Sequence, residues 1–220
     1  MKTTSSAIIS LLGAITASAA TITYDFSSPA NTDLGSYTHS FVSTPTGYTI
    51  TAYGFEGGKT NNLYVKNQGA GETGLGLYRQ DASEIDSKGL VVLDISSLSS
   101  ALSLQLEIAS VDFSEGFAIY GLSSGDYSGN STAPKLSAIA LYKGGGSAGD
   151  KYFSVPDFAS YHYLALTATK GNVLLEGLNA NISDRSIGAA ATPEPATMGF
   201  VGLALVCVAL GGRLVRERKA

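Results

Sequence analysis

Apolar and polar residues alternate along most of the chain with the two-residue period of β-strands. The clearest case is residues 102–108, where leucine or isoleucine occupies every second position and serine, glutamine or glutamate stands between. Successive side chains of a strand point to opposite faces, so this pattern predicts a strand with one face in a core. Similar segments predict further strands at 22–26, 48–53, 63–66, 75–78, 90–95, 117–122, 138–142, 152–155, 161–169 and 173–178.

Clusters of glycine, asparagine, aspartate and serine separate these segments at intervals of about 8–12 residues, as in all-β domains. The region contains no amphipathic stretch of three helical turns, and only 96–102 and 156–161 are expected to form a helical turn. All twelve tyrosines lie in it, which fits pleated surfaces packed face to face. The sequence therefore predicts an all-β fold, a single antiparallel β-sandwich of jelly-roll-like topology over residues 21–185.

Residues 1–20 have the three parts of a cleavable secretory signal peptide. Lys2 supplies the positive charge, residues 7–15 form a short apolar core, and Ala17 and Ala19 flank Ser18 in an A-x-A cleavage site. We expect this segment to direct export and to be removed by cleavage after Ala19 or Ala20.

A second apolar segment lies near the C-terminus. Residues 198–212 carry no charge, and as a helix at about 1.5 Å per residue they would cover roughly 22 Å. That is short of the ~30 Å hydrocarbon core, so we extend the predicted transmembrane helix to 198–215. This extension requires the side chain of Arg213 to snorkel to the headgroups. The tail 216–220 follows, and we expect four basic residues to hold it in the cytoplasm: Arg213, Arg216, Arg218 and Lys219.

Pro193 and Pro195 prevent this helix from extending towards the N-terminus, because proline fixes φ and disfavours helix in the residue before it. Glu194 is therefore expected on a stiff, extended segment at the outer membrane surface, where a protease can bind it. The small and proline-rich residues 186–197 form the linker. The length, charge and prolines of this C-terminal region, taken by themselves, favour an ordinary short membrane anchor.

The sequence Pro193, Glu194, Pro195, Ala196 and Thr197, with the apolar helix and arginine-rich end that follow, resembles the PEP-CTERM sorting signal of exopolysaccharide-producing Gram-negative bacteria. The resemblance covers about thirty residues. It implies a precursor anchored in the inner membrane and an exosortase-type sorting protease that cleaves near the Pro-Glu-Pro motif. It also implies delivery of the product to the cell surface or extracellular matrix.

Charge and cysteine content narrow the possible partners of the exported region. Residues 21–192 hold nine Lys/Arg and sixteen Asp/Glu, a net charge of −7, whereas residues 213–220 carry +3. An acidic domain binds the phosphate backbone poorly, which argues against a nucleic-acid partner. The one cysteine, Cys207, lies in the apolar C-terminal segment, so the exported region has neither a disulfide nor a cysteine nucleophile.

Three sequence motifs match catalytic or nucleotide-binding patterns without the helix that each pattern requires. Residues 69–74 match a dinucleotide fingerprint, residues 57–60 resemble a phosphate loop, and Ser123 lies in a Gly-x-Ser-x-Gly sequence. We interpret residues 69–74 as a turn and the Ser123 sequence as a hairpin turn, and in the phosphate-loop match the leading Gly54 lies one position too close. The two histidines, His39 and His162, have no spacing that indicates a metal site or a catalytic triad.

Four acidic residues gather on the glycine-rich connection before the 90–95 strand: Glu72, Asp81, Glu84 and Asp86. Carboxylates and carbonyls are the ligands that calcium prefers, which makes these residues candidates for a calcium site. Solvated loop acids are the favoured interpretation, and no other cofactor is expected. Residues 69–77 with the Glu84-Ile85 pair also resemble the glycine-rich and Glu-Ile region of β-sandwich domains among PEP-CTERM proteins.

Three functions are compatible with this sequence. The first is a non-catalytic surface or matrix protein whose sandwich binds polysaccharide or other surface proteins through exposed tyrosines and loop acids. The second is a secreted polysaccharide-active hydrolase, and the third is a structural spacer without a ligand. Because no catalytic motif has its required context, we do not expect an enzyme. A cleft with two facing carboxylates would favour the hydrolase, and a tyrosine-lined face would favour the binding protein.

Overall fold

The computed structural model describes residues 19–45, 47–68, 72–79, 83–109, 111, 114–137, 139–145 and 152–183. Most of the predicted signal peptide, including Ala17, lies outside these residues. So do Asp81, the linker, the sorting motif, the predicted transmembrane helix and the basic tail. Within the described part of the chain, no helix is long and apolar enough to cross a membrane.

The described residues form fourteen strands and two 3-10 helices. The helices, at Ser96–Leu98 and Phe158–Ser160, confirm the two predicted helical turns. In chain order the strands are β1 (Ala19–Asp25), β2 (Thr32–Asp33), β3 (Thr38–Val42), β4 (Thr49–Glu56), β5 (Lys59–Thr60), β6 (Leu63–Asn67), β7 (Thr73–Leu77), β8 (Gly89–Asp94), β9 (Ser103–Ala109), β10 (Gly116–Leu122), β11 (Tyr142–Gly145), β12 (Tyr152–Ser154), β13 (Tyr163–Lys170) and β14 (Leu174–Ser183).

These strands form two seven-stranded antiparallel sheets. Sheet A has the order β12–β9–β14–β7–β6–β2, with β1 also paired to β14. Sheet B has the order β11–β10–β13–β8–β4–β3, with β5 also paired to β4. From β7 to β10, and again from β11 to β14, each connection crosses from one sheet to the other, as in a jelly roll. The predicted all-β sandwich is confirmed.

The core lies between the two sheets and follows the alternation seen in the sequence. In β9 the residues Leu104, Leu106 and Ile108 are buried, while the residues between them are partly exposed. Strand β8 differs because both of its faces are buried. Its Val91 and Leu93 join the main core, and its other face contacts a second apolar cluster.

The second cluster lies on the outer face of sheet B, beneath residues 123–137. Tyr127 is buried there, with its ring edge-to-face against Tyr53 at 5.5 Å and against Tyr163 at 4.9 Å between ring centroids. Burial raises the pKa of the Tyr127 hydroxyl, which donates a hydrogen bond of 2.8 Å to the Asn130 carbonyl. This loop therefore covers much of what would otherwise be a solvated sheet face.

The sequence prediction was wrong for several edge strands. It missed β2 and β5, which have two residues each and are too short for a periodic signal, and β3, in which Phe41 is the one buried residue. It placed a strand at 138–142, whereas β11 spans Tyr142–Gly145 and pairs with β10 through its backbone. Residue 138 lies outside the described part of the chain.

In β7 the two glycines, Gly74 and Gly76, occupy outward positions, whereas Leu75 and Leu77 face the core. A Cβ on Gly76 would lie 2.3 Å from the Ser83 carbonyl oxygen and 3.0 Å from the Glu84 Cα. The missing side chain therefore lets the backbone of Ser83 and Glu84 lie directly on the outer face of sheet A, while the next residue, Ile85, belongs to the main core. The Ile85–Val173 bridge holds the segment there, with an N–H···O bond of 2.9 Å in each direction.

We expect Gly76→Ala to destabilise the sandwich by about 1–3 kcal/mol, because the added methyl group overlaps backbone atoms that cannot move independently. Urea unfolding of the purified protein measures this difference. Gly125→Ala is the matched control, since a Cβ there meets only the Ser123 Oγ, at an ordinary 3.6 Å. Equal stability of the two variants would contradict the close packing described here.

Candidate functional site

Lys66 lies on the outer face of sheet A, yet only 9% of its side chain is exposed. Its neighbours Leu63 and Val65 in β6 face the core, and Lys66 is aligned with Gly74 of β7, which has no side chain to cover it. The Nζ donates hydrogen bonds to the carboxylates of Glu72 and Glu84. The side chain of Glu84 is also 9% exposed, whereas that of Glu72 is 40% exposed.

One ammonium group is thus shared by two carboxylates, so the cluster carries one excess negative charge when both are ionised. Burial raises the pKa of Glu84, and the neighbouring Glu72 raises it further, although Lys66 acts in the opposite direction. For Lys66, burial alone would lower the pKa, but the two carboxylates together raise it above its ordinary value. The cluster therefore keeps Lys66 charged and makes Glu84 easier to protonate than an exposed glutamate.

Arg79 forms a second ion cluster with Asp86, at the C-terminal end of the segment 83–86. Its Nη1 donates a hydrogen bond of 2.8 Å to Asp86 Oδ2, and its Nη2 lies 2.8 Å from both Asp86 Oδ1 and Glu56 Oε1. Asp86 also accepts hydrogen bonds of 2.7 Å from the backbone N–H groups of Lys88 and Gly89. Arg79, with these two N–H groups, lowers the pKa of Asp86 to about 2.

The structure divides the predicted calcium ligands between these two cations. Glu72 and Glu84 share Lys66, Asp86 pairs with Arg79, and Asp81 lies outside the described residues. In the described part of the chain, no group of three or more His, Cys, Asp or Glu residues is placed to hold a metal ion. Calcium binding by these four residues stays a prediction.

Sequence reasoning did not assign a role to Lys66 or Arg79. The sequence did contain one usable signal for Lys66, since a lysine at an outward position of a strand faced a connection rich in acids. The contact of Arg79 with Glu56 had no comparable signal, because Glu56 belongs to sheet B and comes close only through the fold.

Four polar or aromatic residues share the outer face of sheet A near its β2 edge. Asp33 is aligned with Tyr64 across the β2–β6 pair, and the Tyr78 N–H donates a 2.8 Å hydrogen bond to the Asn62 carbonyl. Residues aligned in this way point to the same face of a sheet. The rings of Tyr64 and Tyr78 are 6.1 Å apart between centroids, and Tyr78 is 45% exposed. The Asn62 amide lies 3.2 Å from Asp33 Oδ1.

Ser123 lies in a turn, as predicted. Its N–H and its hydroxyl both donate to Asp126 Oδ2, at 3.0 and 2.7 Å. The histidines have aromatic neighbours: the His39 ring is 4.8 Å from that of Phe41, and the His162 ring is 6.5 Å from that of Tyr163.

The comparisons with known proteins concern the C-terminal residues. A family model described as the PEP-CTERM protein-sorting motif matches residues 191–219, which confirms the resemblance drawn from the Pro-Glu-Pro sequence. The motif indicates an exported protein that is anchored in the membrane and then sorted to the surface, with processing by exosortase. Neither the curated proteins nor the solved structures give a match.

We expect Asp86→Asn to destabilise the protein by about 2 kcal/mol at neutral pH, the free energy that corresponds to its lowered pKa. A carboxylate with a lowered folded pKa stabilises the protein above its unfolded pKa of about 3.9, and this contribution disappears as the pH falls through about 2. The difference between variant and wild type should therefore shrink between pH ~4 and pH ~2.

Urea unfolding across that pH range measures the difference. Asp126→Asn is the control for an exposed aspartate, and its effect on stability should be smaller because Asp126 bonds only to Ser123 in its own turn. A destabilisation by Asp86→Asn that does not change with pH would contradict the assignment to the Arg79 pair.

Proposed function

We propose that this chain, which carries a PEP-CTERM protein-sorting motif, is a non-catalytic surface or extracellular-matrix protein whose sandwich binds polysaccharide. The observation that carries the proposal is the outer face formed by Tyr64 and Tyr78 with Asp33 and Asn62. We call this set of four residues the tyrosine face.

The chemistry of the tyrosine face suits a sugar ring. Two tyrosine rings offer apolar surfaces for the C–H faces of a pyranose, while their hydroxyls remain available to water or ligand. The Asp33 carboxylate and the Asn62 amide lie beside them and can hydrogen-bond to sugar hydroxyls. Tyr64 belongs to β6 and Tyr78 directly follows β7, so backbone pairing holds both residues in position, which lowers the ordering cost of binding.

Charge favours a neutral polysaccharide over an acidic one. The region 21–192 carries a net charge of −7, and the tyrosine face itself contains the carboxylate of Asp33. A uronic-acid or sulfated polymer would meet repulsion both at long range and at contact. We therefore assign the class of ligand as a neutral polysaccharide in the matrix to which the protein is sorted.

Three side chains that could serve a hydrolase have other partners, which supports a non-catalytic role. A glycosidase places two carboxyl groups on opposite sides of an open cleft. Here the buried Glu84 contacts Lys66, and Asp86 contacts Arg79. The Ser123 hydroxyl donates to Asp126 within its turn. Turnover of a polysaccharide or ester panel, lost on Ser123→Ala or on substitution of one acid, would overturn this part of the proposal.

We expect the double variant Tyr64→Ala/Tyr78→Ala to weaken binding to a neutral polysaccharide by about tenfold or more, since loss of two aromatic contacts removes more than about 1.4 kcal/mol. Affinity electrophoresis in gels that contain the polymer measures the change. Tyr152→Ala is the matched control, because Tyr152 is 50% exposed but lies on β12 at the opposite edge of sheet A. Equal retardation of both variants would contradict the tyrosine face.

The sorting segment gives a separate prediction. We expect Pro193→Ala/Pro195→Ala to let helix extend towards the N-terminus and hide Glu194, so the full-length form should accumulate in the membrane. Neutral replacements of Arg213, Arg216, Arg218 and Lys219 should impair retention before processing. Intact mass of the mature protein, from cells with and without the sorting protease, measures both effects.

Pro134→Ala, in a loop of the sandwich, is the control for loss of a proline outside the motif. If surface-delivered wild-type protein still carries residues 213–220, the segment is a plain anchor and the proposed processing is wrong.

A further inference from the structure

The Lys66 cluster places a primary amine against two carboxyl groups at a site that excludes most water. The Nζ of Lys66 contacts both Glu84 and Glu72, and the side chains of Lys66 and Glu84 are each only 9% exposed. We propose that Lys66 and Glu84 become joined by an intramolecular amide bond, with Glu72 as the proton carrier. The proposal does not depend on polysaccharide binding.

The fold holds both reacting groups in place. The antiparallel pairing of Lys66 with Gly74 fixes the lysine backbone within sheet A. The Ile85–Val173 bridge and the contact of Glu84 with Gly76 fix the backbone of the glutamate. Groups held in contact by rigid neighbours react as if at very high concentration, so a step that is negligible between free side chains becomes accessible.

The electrostatics of the cluster support the required proton transfers. Burial and the nearby Glu72 raise the pKa of Glu84, which favours the protonated carboxyl that a nucleophile can attack. Lys66 is held as the ammonium and must first lose a proton. Glu72 contacts the same nitrogen and is 40% exposed, so it can take that proton without being as strongly desolvated as Glu84.

The reaction balances without any co-reactant. The Lys66 ammonium passes one proton to Glu72, and the free amine attacks Cδ of Glu84 while Glu72 protonates a Glu84 oxygen. Glu72 then accepts a proton from the attacking nitrogen and delivers it to the departing hydroxyl, which leaves as water as the C–O bond breaks. One ammonium and one carboxylate have become one amide and one water, and Glu72 ends as it began.

The Arg79–Asp86 pair is an internal comparison for this chemistry. Here too a carboxylate of the segment 83–86 contacts a cation of the domain. The delocalised guanidinium of Arg79, however, stays protonated and is not a nucleophile. An amide bond would therefore form at one of the two ion clusters and not at the other. The one cysteine of the chain lies in the apolar C-terminal segment, so the exported region cannot form a disulfide of its own. The amide would give it the covalent constraint that a disulfide gives other secreted domains.

Tryptic peptides of the denatured full-length protein test the bond, because trypsin does not cleave after an acylated lysine. We expect residues 60–79 to appear joined to residues 80–88, lighter by one water than the two peptides together. Fragment ions should place the link between Lys66 and Glu84. Separate peptides 60–66, 67–79 and 80–88 from folded wild-type protein would overturn the proposal. A link to Glu72 would also overturn it, since it would leave 80–88 free and make 60–79 lighter by one water.

Three variants separate the chemical roles. Lys66→Arg keeps the charge but should give only unlinked peptides. Glu84→Gln should give the wild-type linked product, because ammonia leaves in place of water. Glu72→Gln should lower the yield of the linked peptide at least tenfold while the protein stays folded by circular dichroism. A linked peptide in Lys66→Arg, its absence in Glu84→Gln, or an unchanged yield in folded Glu72→Gln would each contradict the assigned role.

Discussion

The direct contact of Ser83 and Glu84 with Gly76 of sheet A positions the two ion clusters of this domain. Because Gly76 has no side chain, the Ser83 carbonyl and the Glu84 backbone lie against the strand itself. Glu84 is thereby brought onto Lys66 at one end of the segment, and Asp86 onto Arg79 at the other. Arg79 also contacts Glu56 of β4, so the ion cluster around Asp86 extends to sheet B.

The parts of the fold that could be predicted are those in which a local pattern decides the outcome. Strand β9 was clear because a buried leucine or isoleucine recurs at every second residue. Strands β2 and β5 could not be predicted, because two residues are too few to show a period. These strands are defined only by their pairing with β6 and β4. Tyr127 is a further example: its burial depends on a loop that returns to cover Tyr53 and Tyr163, which are distant in sequence.

The candidate functional site also divides into a part that could be predicted, its acidic residues, and a part that could not, its cations. The acidic residues were identified from the sequence because they cluster along the chain, and Glu72, Glu84 and Asp86 do take part in the main ion clusters. Their cations were missed because burial, rather than composition, makes Lys66 and Arg79 important. A lysine at an outward position is ordinarily a solvated residue. Here the absence of a side chain at Gly74 and the overlying segment at Gly76 turn that outward position into an interior one.

The pairing of β1 with β14 has a consequence for the order of events during export. Ala19 lies opposite Ser183, and Ala20 opposite Ile182, so the first strand of the sheet needs a partner that is synthesised more than 150 residues later. Until that partner has crossed the membrane, the peptide bonds at the predicted cleavage positions, after Ala19 and Ala20, lack their strand partner. Once β14 is in place, Ala20 packs against the core and these bonds belong to a sheet. If the predicted leader is removed there, we expect its cleavage to precede the pairing of β1 with β14.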